Sequence, residues 1–88
     1  MSHFDDMYWL VSLVESGSFT VAAQRNGVTG AAISKRIRLM EERLGVKLLV
    51  RNTRSLRTTE AGELYYRRGR QLLDEFSILE HNVSSTSE

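Results

Sequence analysis

Eighty-eight residues suffice for one small domain with a thin core. The absence of cysteine excludes disulfides and thiolate metal sites, and no apolar run approaches the ~18 residues that a membrane span requires. The net charge of +1 hides a segregation: all twelve Lys and Arg lie within residues 25–70, against four acids there, and the flanks hold the other seven acids. Such a surplus creates a local positive field suited to a polyanion. The start, Met1-Ser2-His3-Phe4-Asp5-Asp6, has no basic stretch followed by an apolar one, so it does not read as a signal peptide and a cytoplasmic protein is expected.

The first helix is predicted from Met7, Leu10, Val11 and Val14, spaced as one helical face requires, with Asp5 or Asp6 as its cap and Ser16-Gly17 as its end. Ser18 caps a short second helix with Phe19, Ala22 and Ala23 inward, and Asn26-Gly27 closes it. Thr29 caps a third, whose apolar stripe is Ile33, Ile37, Met40 and Leu44 and which Gly45 stops. At about 100° per residue, the face opposite that stripe presents Ala31, Ser34, Lys35 and Arg38 together.

Past Gly45 the pattern changes to two short strands, 47–51 and 55–58, joined by a turn at Asn52-Thr53-Arg54, with Arg51 and Arg54 at the tip. Two strands alone are marginal, so the hairpin must lean on the helices. Thr59 then caps a long helix in which Ala61, Tyr65, Arg68, Leu72, Phe76, Leu79 and Val83 follow a near-heptad spacing with one charged interruption. The seam predicts dimerisation through Tyr65, Leu72, Phe76, Leu79 and Val83, because such a stripe would otherwise lie in water. The expected organisation is a winged helix-turn-helix over 1–58, a dimerisation helix over 59–83 and the start of a flexible linker over 84–88.

Three helices and a hairpin, with a tight break at Gly27-Val28, form a mainly α winged helix-turn-helix. Only a helix or a β-ribbon enters the major groove, and residues near the helix N-terminus reach base edges. Helix N-termini also favour phosphate, which brings Ser18, Thr20 and Thr29 into the expected contact set.

Several stretches in order carry a family resemblance: Glu15-Ser16-Gly17-Ser18-Phe19-Thr20-Val21-Ala22-Ala23, Ala32-Ile33-Ser34-Lys35-Arg36-Ile37, Leu44-Gly45-Val46-Lys47-Leu48-Leu49, Arg51, and Thr58-Thr59-Glu60-Ala61-Gly62. Over residues 4–79 the chain resembles the N-terminal domain of LysR-type transcriptional regulators. The resemblance implies sequence-specific binding of double-stranded DNA at an inverted repeat, as a homodimer, and a tetramer for the full-length protein. It implies a C-terminal domain that binds a small-molecule effector and is not among these residues, so no cofactor is expected here. It places the third helix in the major groove, with Ser34 on a phosphate, Lys35 and Arg38 near bases or backbone, and Arg51 and Arg54 approaching the minor groove. One departure stands out: where the family usually has a Gln-Pro pair that touches bases, this chain has Gly30 and Ala31.

Blander readings compete at several positions. Arg36 and Arg43 lie toward the flank of the third helix, where they either meet phosphate or pair with Glu residues. Trp9 is expected to pack the first helix against the surroundings of the long helix rather than to stack on bases, and Tyr65-Tyr66 to serve packing or the interface. His3 and His81 lack partners at metal-ligand spacing, so no metal is expected. No nucleophile with a base at readable spacing and no glycine-rich phosphate loop occurs, so the chain is not expected to be an enzyme. The rival function is a winged helix that binds only protein. Acids or apolar groups on the exposed face of the third helix would favour it; Ser34, Lys35 and Arg38 favour DNA.

Overall fold

The computed structural model describes residues 2–51 and 56–86. Helices α1 (His3–Ser16), α2 (Phe19–Asn26) and α3 (Gly30–Leu44) are followed by strands β1 (Leu49–Arg51) and β2 (Leu56–Thr58) and by the long α4 (Glu60–Ser85). The expected hydroxyl caps are in place: Ser18 Oγ accepts from Val21 N–H at 3.3 Å, Thr29 Oγ1 from Ala32 N–H at 3.1 Å, and Thr59 Oγ1 from Gly62 N–H at 3.0 Å. Gly27, at φ 67°, ends α2 in the left-handed conformation and lets Val28 and Thr29 turn straight into α3.

The start of α1 differs from expectation. Ser2, not Asp5 or Asp6, is its N-cap, in a reciprocal box: Ser2 Oγ accepts from Asp5 N–H at 3.1 Å and the Asp5 carboxylate from Ser2 N–H at 3.2 Å. Asp6 is instead buried against α3. The hairpin also begins at Leu49 rather than at 47, while residues 52–55, the expected turn and the start of the second strand, lie outside the described residues. It pairs Leu49 with Thr58, Val50 with Arg57 and Arg51 with Leu56, antiparallel. Leu48 continues the ladder by one bond only: its carbonyl accepts from Thr59 N–H at 3.0 Å in the same register, but its N–H donates to Glu41 at 2.8 Å in place of a strand partner.

Leu10, Leu13, Ala22, Ile33, Ile37, Met40 and Leu48 form the centre of the core, with Trp9 beside them as expected. Leu44 does not join it. It lies one turn beyond Met40, where the chain turns away at Gly45, and is exposed. A second, smaller cluster of Met7, Val11 and Leu73 joins α1 to α4.

Helix α4 runs two residues beyond the expected 83, through Ser84 and Ser85. Leu73 is its last buried residue, so its remaining turns project past the body of the domain. Along them Leu72, Phe76, Leu79 and Val83 are 50%, 42%, 57% and 62% exposed, with the Phe76 ring 4.9 Å from that of Phe4. Tyr65, expected in the dimer seam, packs instead on its own domain between the two core clusters, where burial raises its phenol above the ordinary pKa. The Ser87-Glu88 part of the expected linker lies outside the described residues. Among the described residues no helix is long and apolar enough to cross a membrane.

Candidate nucleic-acid interface

Helices α2 and α3 meet across the Gly27-Val28-Thr29 turn, which places the first turns of α3 at the surface. Ala31, Lys35 and Arg38 are exposed there, on one face, with Ser34 half-buried between them and the hairpin. Thr20 and Thr29 are exposed beside them, and Ser18 is half-buried. Gly30 occupies the first helical position and leans toward Phe19: a Cβ on Gly30 would lie 3.7 Å from Phe19 Cβ, an ordinary contact. Nothing in the packing therefore requires glycine there.

Two of the expected contact residues, Arg36 and Arg51, already have partners within the domain, and so does Arg43. Arg36 does not face outward with Lys35. One residue further around the helix, it turns toward α1, where Nε and Nη2 donate to Asp6 Oδ1 at 3.2 and 2.9 Å. Arg43 approaches the other oxygen of Asp6 at 3.9 Å. These arginines fasten α3 to α1, and the acid they meet comes from a different helix, a pairing invisible to helical spacing alone. Arg51 does not extend from the wing. It folds back over α3, with Nη1 donating to Ser34 Oγ at 2.8 Å, Cζ 5.5 Å from the centre of the Phe19 ring and Nη2 3.6 Å from Glu41 Oε1. The physical reason is the buried Glu41 carboxylate, which draws the cation inward. Arg54 lies outside the described residues.

Glu41 is the main residue missing from the sequence reading. It is buried, and its Oε2 accepts from the N–H groups of Leu48 at 2.8 Å and Leu49 at 3.2 Å, fixing the root of the hairpin to α3. Its signal is present in the sequence: it falls four residues after Ile37 and eight after Ile33, on the buried stripe, where a charge must find partners. Arg57 was also missed. It lies on β2, exposed, paired with the exposed Val50 on the outer side of the wing. Asp6 and Glu41 are thus both buried and occupied, while Lys35 and Arg38 are exposed, with the exposed Glu42 one turn beyond Arg38 on α3.

The family model for bacterial regulatory helix-turn-helix proteins of the lysR family matches residues 4–63. The chain belongs to the LysR family. Among LysR-family relatives, it is 38% identical over 84 residues to the HTH-type transcriptional regulator CrgA of Neisseria meningitidis serogroup B, covering 96% of this chain and 28% of CrgA. It is 41% identical over 75 residues to the HTH-type transcriptional activator AaeR of Escherichia coli K12, covering 85% and 24%. The chain thus spans less than a third of the length of the curated relatives it matches. Its fold superposes on the BenM DNA-binding domain in complex with benA site 1 DNA, with a TM-score of 0.89, 29% identity and coverage of 99% and 100%. It superposes likewise on full-length AphB of Vibrio cholerae, with a TM-score of 0.83, 32% identity and coverage of 94% and 28%.

Proposed function

We propose that this chain binds double-stranded DNA as a homodimer in the cytoplasm and serves transcription regulation, without catalysis. The observation that carries this reading is the exposed start of α3, where Lys35, Arg38, Ala31 and the Ser34 hydroxyl share one face and no acid of the helix precedes Glu41. A major groove admits such a helix, Lys and Arg meet guanine O6 and N7 or phosphate, and Ala31 meets a thymine methyl. BenM, its structural relative, is seen on DNA with the same fold. The exposed α4 stripe supplies the dimer and hence the inverted-repeat requirement, with half-sites about one helical turn or a multiple apart. A protein-only winged helix would instead present acids or apolar groups on this face.

The deciding experiment is titration of a labelled duplex at rising salt. The log of affinity is expected to fall with log salt at ~0.9 per phosphate contacted, and Lys35→Ala and Arg38→Ala are expected to flatten that slope or relax the selected motif. Absence of any shift at low salt would remove the DNA reading.

Gly30 limits discrimination in this scheme, since it has no side chain to read adenine. Gly30→Gln adds a side chain whose Cβ the site accommodates and whose amide suits adenine N6 and N7 in a bidentate manner. Its expected result is preference for adenine at one position of each half-site, worth about 1–3 kcal/mol there. Site selection from random DNA with both proteins checks this; identical motifs would show that position 30 does not reach base edges.

A further inference from the structure

We infer that Arg51 is a positioning residue for DNA binding, held by the buried Glu41 carboxylate so that it turns the Ser34 hydroxyl proton outward toward a phosphate. The inference rests on the DNA-binding reading above and assigns a role to two residues that reading does not use.

A guanidinium has only donors, so in its 2.8 Å contact with Arg51 Nη1 the Ser34 oxygen must accept. A hydroxyl has one proton and two acceptor sites, and the arginine takes one acceptor site. The single proton is then directed away from Arg51. Ser34 is half-buried between the exposed Ala31, Lys35 and Arg38, so the outward direction is the face offered to DNA. A cation on the oxygen also polarises the O–H bond and strengthens its donation to an anion.

Three independent contacts keep Arg51 in this place. Phe19 of α2 underlies the guanidinium at 5.5 Å, Glu41 Oε1 faces Nη2 at 3.6 Å, and Nη2 also reaches the Ser34 carbonyl at 3.5 Å. Glu41 is itself fixed, because its other oxygen holds the amides of Leu48 and Leu49. The arrangement therefore runs from the hairpin root through Glu41 and Arg51 to the recognition helix. It also balances the arginine's charge locally, so Arg51 contributes little as a phosphate-neutralising cation. Lysine cannot replace it, since a single ammonium does not present a planar fork to Ser34 and Glu41 over an aromatic ring.

The test measures binding of the 88-residue chain and its variants to a fluorescein-labelled duplex recovered from a random pool with the unchanged protein. Ser34→Ala and Arg51→Lys are each expected to weaken binding on the order of tenfold, and the double variant no further, because both remove the same contact. The salt slopes of Arg51→Lys and Arg51→Gln should both match that of the unchanged protein, because the uncharged Ser34 hydroxyl releases no counterion when it meets a phosphate. Glu41→Gln, which keeps the amide contacts but removes the charge, should release Arg51 toward DNA and steepen the slope. Thermal melts establish that each variant is folded, and Ser34→Ala with Arg51→Lys, which keeps a cation beside Glu41, supplies the coupling even if Arg51→Gln is unfolded. Independent, additive losses, or full rescue by lysine, would overturn the inference by making Arg51 a direct phosphate contact. So would an unchanged slope in Glu41→Gln. Failure of the unchanged chain to bind any duplex would remove the DNA reading itself.

Discussion

Gly62→Ala is expected to destabilise the domain severely, although it exchanges one small residue for another on a helix. Helix propensity alone favours alanine by ~1 kcal/mol. Here α4 crosses the hairpin root so closely that a Cβ on Gly62 would stand 1.9 Å from the Leu48 carbonyl oxygen and 2.8 Å from its carbon. Those atoms are backbone, and they cannot yield separately. The Leu48 carbonyl accepts from Thr59 N–H, its N–H is held by Glu41, and Thr59 Oγ1 donates to the Lys47 carbonyl at 2.6 Å. Overpacking costs roughly 1–3 kcal/mol where side chains can shift, and more where they cannot. A loss of about 3 kcal/mol or more corresponds to a fall in melting temperature on the order of 10–20 °C for a domain of this size. Gly69→Ala is the control. Its Cβ would meet only side-chain atoms, Val11 Cγ2 at 3.1 Å and Met7 Cγ at 3.3 Å, so these can yield and the propensity gain offsets much of the cost. Melting curves recorded at one protein concentration separate the two. Equal melting temperatures for both variants would mean that the hairpin root moves aside without cost.

The double change Leu72→Asp and Phe76→Asp is expected to convert a dimer into a monomer. The two side chains head an apolar stripe that continues to Leu79 and Val83; Phe76 touches the Phe4 ring of its own domain, yet all four side chains remain exposed. Burying one large apolar side chain contributes roughly 1.5–3 kcal/mol, so two carboxylates in that seam remove most of the association energy and add like-charge repulsion. A dimer engages both half-sites at once, and its loss is expected to weaken binding to an inverted repeat by at least about a hundredfold. Binding to a single half-site should change far less. Light scattering reads the mass. A monomer for the unchanged chain at micromolar concentration, or a dimer for the double variant, would show that the stripe does not hold two copies together.

The legible parts of this fold are those governed by neighbours in the chain. Ser18, Thr29 and Thr59 were readable as caps, and Gly27 as a stop, because the chemistry that satisfies a helix end is local. The stripe of Ile33, Ile37 and Met40 was readable because burial follows helical period. Illegible were the groups that act across elements. Asp6 looks like a capping acid, yet Ser2 takes that role and Asp6 turns to Arg36 and Arg43. Arg51 looks like a wing-tip cation until Glu41 is placed beneath it. Helix α4 carries two stripes, and heptad spacing finds only the more apolar. The stripe that packs at home runs through Gly62, Tyr66, Gly69 and Leu73, where glycines mark contact by smallness rather than by hydrophobicity.

Helix α1 bears its charged ties near opposite ends: Asp6 reaches Arg36 on α3, and Glu15 accepts from Tyr66 and Arg70 on α4. Between them Met7 and Val11 close onto Gly69. The helix is thus a strut between the element that enters the groove and the element that joins two subunits. Because α1 braces both, the separation and twist of the two recognition helices in the proposed dimer are expected to be set largely by the protein. A half-site displaced by one base pair is rotated by about a tenth of a turn. The duplex must twist or bend instead, at a cost on the order of 1–6 kcal/mol that depends on its base steps. The spacer between half-sites, although untouched by any side chain, therefore becomes part of the recognised sequence.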